Sequence, residues 1–277
     1  MNDSDCTRFL QWALPQMRMR WAGFRKVRKQ VCKRIARRLR VLGLPGLDAY
    51  RGYLSENPDE WMVLDCCCRI TISRFYRDRR VFDFLGDTVL PLLARQALQR
   101  GDTRLQLWSA GCAGGEEPYS LLLLWKRRAA PLCPGVGVQI LATDTDPPSL
   151  ERAAAACYGP ASLKDLPPDW WEAAFRRRNS DYCLRSGYRS AIVLRCQDLR
   201  SRLPPQRFDL ILCRNLVFTY FSMELQQQLL ERLQLLLQPG GALVIGAHES
   251  LPGPATGLTP WQGALGIFRQ GSATPAH

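Results

Sequence analysis

The apolar run Leu105 to Ser109 leads without a break into Ser109-Ala110-Gly111-Cys112-Ala113-Gly114-Gly115-Glu116-Glu117-Pro118-Tyr119-Ser120, a glycine-rich turn that opens a helix. A turn of this kind puts a nucleotide-type loop at the carboxyl end of a strand. Three further runs of strand type follow, Val138 to Thr143, Phe208 to Cys213 and Ala242 to Gly246, with helical stretches between them. Alternating strands and helices predict a parallel α/β sheet with helices on both faces.

The period changes at the polar break Gln99-Arg100-Gly101-Asp102-Thr103, and the pattern before it is helical and basic. Residues 1–98 are therefore expected to form an all-helical N-terminal domain and residues 99–270 the α/β domain. Within the latter, about 158–205 carries two more strand-like runs, Asp181 to Leu184 and Ala191 to Leu194, which read as a small β excursion from the main sheet. The tail 271–277 is expected to be disordered.

The loop selects its ligand by charge. It lacks Gly-Lys-Ser/Thr and departs from the dinucleotide fingerprint at Ala113, which excludes a phosphate-cradling P-loop and weakens a dinucleotide reading. Two carboxylates, Glu116 and Glu117, stand where a pyrophosphate needs neutral or positive surroundings, so the ligand should present a cation. S-adenosylmethionine fits, with an ammonium, a sulfonium and no phosphate, and with a carboxylate that backbone N–H groups of the turn can hold. Ile140-Leu141-Ala142-Thr143-Asp144 ends in an acid placed to accept from ribose hydroxyls, although a lone aspartate there also reads as a helix N-cap. Cys196-Gln197-Asp198-Leu199 offers a third carboxylate, toward the adenine amino group.

The formal net charge of +13 is concentrated: Arg18 to Arg40 holds eleven Lys and Arg residues and no acid. Phe24, Val27, Val31, Ile35, Leu39 and Leu42 recur at three- and four-residue steps in the same segment, which predicts an amphipathic helix with one buried stripe. Such a face is either solvated or meets an acidic partner: protein surface, nucleic acid or anionic lipid. Its sparse aromatics, Trp21 and Phe24, argue against a single-strand reader, so nucleic acid is not the expected partner.

With 46% hydrophobic residues the chain can build a sizeable core, and no apolar run approaches the roughly 20 residues of a spanning helix. The first residues lack the signal-peptide pattern, so a cytoplasmic protein without membrane insertion is expected. Eleven cysteines without paired spacing read as reduced, mostly buried thiols. Cys66-Cys67-Cys68 cannot converge on one ion, so no metal is expected. Only His248 and His277 are available as histidine bases, so the chemistry should need none. Trp170-Trp171 read as core rather than a stacking platform, and His248 as structural or cofactor-side.

These motifs together resemble the CheR family of chemotaxis methyltransferases, which modify glutamates of membrane chemoreceptors. The resemblance runs from the basic helix at Arg34 to Leu44, through Phe75-Tyr76-Arg77-Asp78, similar to the family's Phe-Phe-Arg motif, to the Trp108 to Ser120 signature. Ala142-Thr143-Asp144-Thr145-Asp146, Phe208 to Asn215 and Pro239-Gly240-Gly241-Ala242-Leu243 follow in family order. It implies a class I S-adenosylmethionine methyltransferase, a Rossmann-like doubly wound sheet with a small β-subdomain and an all-helical N-terminal domain. It further implies that Glu116 meets the methionine end of the cofactor, with Ala110 and Gly111 in the turn, that Asp144 meets the ribose and that Asp198 with Leu199 meets the adenine. By the same resemblance Ser73 and Asn215 lie beside the cofactor, Arg77 lies over the transferred methyl and Tyr220 matches the active-site tyrosine. Three positions differ from the usual family pattern: Thr71-Ile72-Ser73 stands for Asn-x-Thr, Asp198 for Asn, and the Tyr220-Phe221 ending comes one residue later.

The implied acceptor agrees with the histidine count, because a glutamate carboxylate with a reference pKa near 4.3 is already a nucleophile at neutral pH. The expected function is methyl transfer to carboxylates of an acidic protein such as a chemoreceptor cytoplasmic helix. The alternatives are a methyltransferase for another acidic substrate and a non-catalytic, cofactor-sensing nucleic-acid-binding module. Arg77 also reads as a surface partner of Asp78 or Asp83.

Overall fold

In the computed structural model, residues 2–253, 257–261 and 265–271 are described. Contacts divide the chain into two units, Met1–Ile70 with Thr219–Gln226, and Thr71–Phe218 with Gln227–His277. The first unit is helical: α1 (Asp3–Gln16), α2 (Trp21–Phe24), α3 (Arg28–Leu42), α4 (Leu47–Glu56) and α5 (Glu60–Cys68). The amphipathic stripe is present on α3, where Val31, Ile35 and Leu39 are buried at four-residue steps. The basic segment is nevertheless not one helix. Met19 forms an antiparallel bridge with Phe221, and the Arg20 N–H donates to the Tyr220 carbonyl at 2.9 Å, so the backbone is extended where the periodicity predicts helix. Gly43 in the left-handed region (φ 66°) ends α3.

The second unit begins at Thr71, not after Leu98 as the change of period suggested. In α6 (Arg79–Phe84), the π-helical turn Leu85–Val89 and α7 (Leu90–Gln99), the residues Val81, Phe82, Leu85, Val89, Leu90, Leu93 and Ala97 are buried in one core with Leu105, Leu107 and Leu122. Those helices therefore belong to the sheet they cover. The remaining elements are β1 (Arg104–Ala110), α8 (Glu116–Leu124), β2 (Gly137–Asp144), α9 (Pro147–Ala155), β3 (Cys157–Tyr158), α10 (Pro160–Leu163), α11 (Pro168–Ala174), β4 (Phe175–Arg178), β5 (Asp181–Leu184), β6 (Ile192–Cys196), β7 (Phe208–Leu212), α12 (Val217–Tyr220), α13 (Met223–Leu235), β8 (Leu237–Val244), β9 (Leu258–Pro260) and β10 (Ile267–Gln270).

The main sheet has the order β6-β2-β1-β7-β8-β10-β9. The first five strands are parallel and β10 runs antiparallel to both β8 and β9. The order reverses between β1 and β7, which is where an open sheet of this kind leaves a crevice at its carboxyl edge. Leu121, Leu122, Leu123 and Leu124 of α8 are all fully buried, each contributing about 1.5 to 3 kcal/mol. This helix is held in the core on every side, so the groups in its first turn are fixed in a region of low dielectric.

Two expectations are corrected. The run at 191–194 is not part of the β excursion: β6 pairs in parallel with β2, Asp144 opposite Cys196, and the small sheet is β3-β5-β4 alone. The cysteines are not all reduced. Cys6 on α1 is bonded to Cys32 on α3, and Cys157 to Cys183, which stand directly opposite each other in the β3–β5 pair with Cα atoms 4.0 Å apart. Spacing along the chain carries no sign of either pairing, because the fold and not the sequence brings the partners together. Residues 272–277 of the expected tail lie outside the described residues.

Candidate functional site

The carboxyl ends of β1, β2 and β7 carry the cluster. At Gly111 the backbone turns into the left-handed region (φ 86°), and an added Cβ would stand 2.5 Å from Leu216 Cδ2, so the position needs glycine. The N–H groups of Gly111 and Cys112 donate to the Thr143 carbonyl at 2.8 and 2.9 Å, which folds the turn onto the end of β2. Asp144 closes it from the other side: its Oδ2 accepts from the Ala113 N–H at 2.8 Å and its Oδ1 from the Asp146 N–H at 3.0 Å. The N-cap of α9 is Asp146, whose side chain accepts from the Ser149 N–H, so Asp144 is not the cap. Burial pushes the Asp144 carboxyl up, and the N–H groups of Ala113 and Asp146 pull it back.

Glu116, the first residue of α8, is fully buried. Its Oε1 accepts from Arg152 Nη2 at 2.6 Å, while its Oε2 is buried without a hydrogen-bond partner. The Arg152 guanidinium reaches it across Gly114, where any Cβ would stand 2.0 Å from Nη2. Burial raises the Glu116 carboxyl above the usual range, and the Arg152 charge and the Ser73 hydroxyl oppose that rise. A buried carboxylate oxygen left open is costly unless a donor or cation meets it, which is what the ammonium of S-adenosylmethionine supplies. The set of acceptor oxygens therefore fits that cofactor.

Glu117 does not share this role, although the sequence places two carboxylates side by side. Its Oε1 accepts from Ser109 Oγ at 2.8 Å and its Oε2 from Arg214 Nη1 at 3.1 Å. One acid of the pair is spent inside the protein and the other faces the loop.

Arg77 lies in a turn whose aromatic neighbours are anchors. Phe75 is buried edge-on against Tyr158 and Phe175, and Tyr76 is stacked on Phe82. The Tyr76 N–H donates to Ser120 Oγ of α8 at 2.8 Å, and Asp78 is ion-paired with Arg214 at 2.6 Å. Arg77 itself is half-buried and donates to the Ile72 carbonyl at 3.2 Å. The alternative of a surface pairing with Asp78 or Asp83 does not form, since Asp78 is held by Arg214 and Asp83 by Arg128 and Arg79.

Asp198 follows β6 at the same edge, where the Gln197 N–H donates to the Asp144 carbonyl at 2.9 Å. Its carboxylate is forked by Arg200, with contacts of 2.8 to 3.1 Å, and Leu199 is buried beside it. Asn215 takes the left-handed region (φ 55°), and its N–H donates to Glu249 Oε2 at 2.9 Å, as the Gly246 N–H does at 2.6 Å. Tyr220 belongs to the helical unit, where its ring packs on Phe24 with centroids 4.9 Å apart. Trp170 is core, edge-on to Tyr76, and His248 is exposed. Arg152 and Glu249 carry no local signal in the sequence, and Arg214 stands there only within the Phe208 to Asn215 motif. Nothing local marks a partner that lies 36 or 97 residues away in the chain.

Residues 71–263 match the family model described as the CheR methyltransferase SAM-binding domain, and residues 26–64 match its all-alpha domain. A chemotaxis protein methyltransferase of Listeria innocua is 36% identical over 67% of this chain and 68% of its own length. Another, from Pseudomonas aeruginosa, is 34% identical over 74% of this chain and 73% of its own. An uncharacterised 104.1 kDa protein of Rhodobacter capsulatus is 35% identical over 80% of this chain, which spans only 23% of that protein.

Proposed function

The chain belongs to the CheR methyltransferase family and is an S-adenosylmethionine-dependent methyltransferase, and from that premise we propose that it methylates carboxylates of an acidic protein, glutamate side chains of a chemoreceptor cytoplasmic helix being the best fit. The observation that carries this reading is the pairing of an open, buried Glu116 with an arginine, Arg77, whose turn is fastened to the same helix, α8. The Listeria and Pseudomonas relatives are named chemotaxis protein methyltransferases, which supports an acceptor that belongs to a chemotaxis system. Among the described residues no helix is long and apolar enough to cross a membrane.

S-adenosylmethionine supplies a methyl group on a sulfonium sulfur. Glu116 would take the ammonium, Asp144 the ribose hydroxyls, and Asp198 with Leu199 the adenine side; Ala110, Gly111, Ser73 and Asn215 would flank these groups, the N–H groups of Gly111, Cys112 and Ala113 being already given to Thr143 and Asp144. Arg77 orients the acceptor carboxylate by partial engagement, since a full bidentate pair would lower its nucleophilicity. The acceptor is already ionised at neutral pH, so the chain has to hold one oxygen in line at about 3 to 3.5 Å and needs no base. A part for Tyr220 rests on the family resemblance alone.

Supplying methyl-labelled cofactor to host lysate tests the reading. The expected result is label on an acidic protein, released as methanol by mild base as a carboxylate ester requires. Base-stable label, or label on nucleic acid, would remove the carboxylate from the mechanism.

A further inference from the structure

Arg214 is the most buried arginine of the cluster, with its side chain 2% exposed, and it joins two separate pieces of chain, residues 77–82 and Glu117 of α8. Nη2 donates to Asp78 Oδ2 at 2.6 Å and to the Arg77 carbonyl at 3.1 Å, Nη1 donates to Glu117 Oε2 at 3.1 Å, and the guanidinium lies 5.4 Å from the centre of the Phe82 ring. Tyr76 (φ 55°) and Asp78 (φ 63°), on either side of Arg77, both occupy the left-handed region, which costs a residue with a side chain and persists only where the surroundings over-determine it. The surroundings here are two fastenings to α8: the Tyr76 N–H on Ser120, and Asp78 through Arg214 on Glu117. Ser120 Oγ in turn donates to the Glu116 carbonyl at 2.6 Å, one turn back along α8.

We propose that Arg214 is a positioning residue for methyl transfer, holding the strained turn that presents Arg77 in register with the first turn of α8. The proposal rests on the assignment of Arg77 to the acceptor. Glu116 faces the cofactor and Glu117, the next residue on the same helix, holds Arg214, so one rigid element sets the position of both reactants. A planar fork with several donors does this where a point charge cannot, because Asp78, the Arg77 carbonyl and Glu117 are served at once. The contact with Asp78 fixes the turn, and the contact with Glu117 fixes where the turn sits relative to the loop.

The test uses the full chain with Asp78→Asn, Arg214→Lys, Arg77→Ala and the double variant Asp78→Asn with Arg77→Ala. Asparagine tolerates the left-handed conformation and keeps an oxygen for Arg214, so Asp78→Asn remains decisive if Arg214→Lys fails to fold. Calorimetry with S-adenosylhomocysteine is expected to give affinities within about twofold of the parent for Asp78→Asn, while base-labile methyl transfer to host lysate slows by about tenfold or more. Hydrogen exchange over residues 72–84 should speed up with α8 unchanged. The double variant should be no slower than Arg77→Ala, because both remove the same placement. Multiplied losses in the double variant, or cofactor affinity falling in step with turnover, would overturn the proposal and leave Arg214 a stability residue. If Arg77→Ala is slow and Asp78→Asn is not, only the Arg214 link fails; if Arg77→Ala transfers methyl at the parental rate, the assignment of Arg77 itself fails.

Discussion

Glu116 carries the clearest consequence of burial. Its carboxyl is raised above the ordinary range chiefly by desolvation, against the pull of Arg152. The folded chain therefore binds this proton more tightly than the unfolded chain, so the residue's contribution to stability declines as pH rises from the ordinary carboxylate range through its raised pKa. Cofactor binding has the opposite slope. The ammonium needs the charged form, so affinity for S-adenosylhomocysteine should fall as pH drops through that raised pKa, and should begin to fall at a higher pH than an exposed glutamate would cause. Glu116→Gln should flatten this dependence and weaken binding by about 1.5 to 3 kcal/mol, read by calorimetry across pH. An unchanged pH profile in the variant would take Glu116 out of the cofactor site. Glu116, Asp144 and Gly111 were legible in the sequence because each sits at a fixed offset from a strand end. Arg152 and Arg214 were not, because an ion pair formed across the fold leaves no periodic trace.

At the scale of elements, the helical unit is organised by a charge that the sequence places on the basic face of the amphipathic segment. Arg38 on α3 forks Glu60 of α5 at 2.9 and 2.6 Å, and the hydroxyl of Tyr50 on α4 donates to the same carboxylate at 2.6 Å. Glu60 is 4% exposed and Tyr50 fully buried, so three helices meet on one buried acid. The Arg38 guanidinium holds the Glu60 carboxyl below its usual range, against desolvation. A depressed carboxylate gives stability that is present above the unfolded pKa and lost as pH falls through the folded value. Glu60→Ala should cost about 2 to 4 kcal/mol near neutral pH, since it leaves a buried phenol and a guanidinium without their acceptor, and the deficit should shrink in acid. Denaturant melts of parent and variant at two pH values decide it; a deficit independent of pH would mean that packing, and not the ion pair, joins these helices. The stripe of α3 was readable from its period. Arg38 was not separable from its neighbours, because period identifies the buried face and says nothing of which rim cation folds inward.

For the whole molecule, the four apolar runs from Leu105 onward announced four of the five parallel strands, β6 being the one read into the β excursion. The antiparallel pair β9 and β10 did not show, being strands of only 3 and 4 residues. The unit boundary was misplaced for a related reason: helices that cover a sheet and helices of a separate unit have the same period, and only their burial partners tell them apart. Charge is the property that acts over the full molecule, and the structure sharpens what it predicts. Of the eleven cations between Arg18 and Arg40, Arg28 is paired with Asp3, Arg38 with Glu60, and Arg34 is turned onto the carbonyls of Cys67 and Arg69. Lys29, Lys33, Arg37 and Arg40 of α3 are exposed. A carboxylate-rich acceptor is drawn to such a face over about a Debye length, near 8 Å at physiological ionic strength, whereas the cofactor is held by buried groups that salt screens weakly. Raising salt should therefore raise the acceptor's KM and leave the affinity for S-adenosylhomocysteine nearly constant. Lys33→Glu with Arg37→Glu should reproduce high salt without unfolding the chain, while reversing Arg38 would break the Glu60 cluster and test a different thing. A nucleic-acid module would instead lose oligonucleotide affinity steeply with salt, with a log–log slope of roughly one per phosphate contact, and lose it again on the same reversal. Tight oligonucleotide binding together with salt-indifferent methylation would assign the basic face to nucleic acid and not to the acceptor.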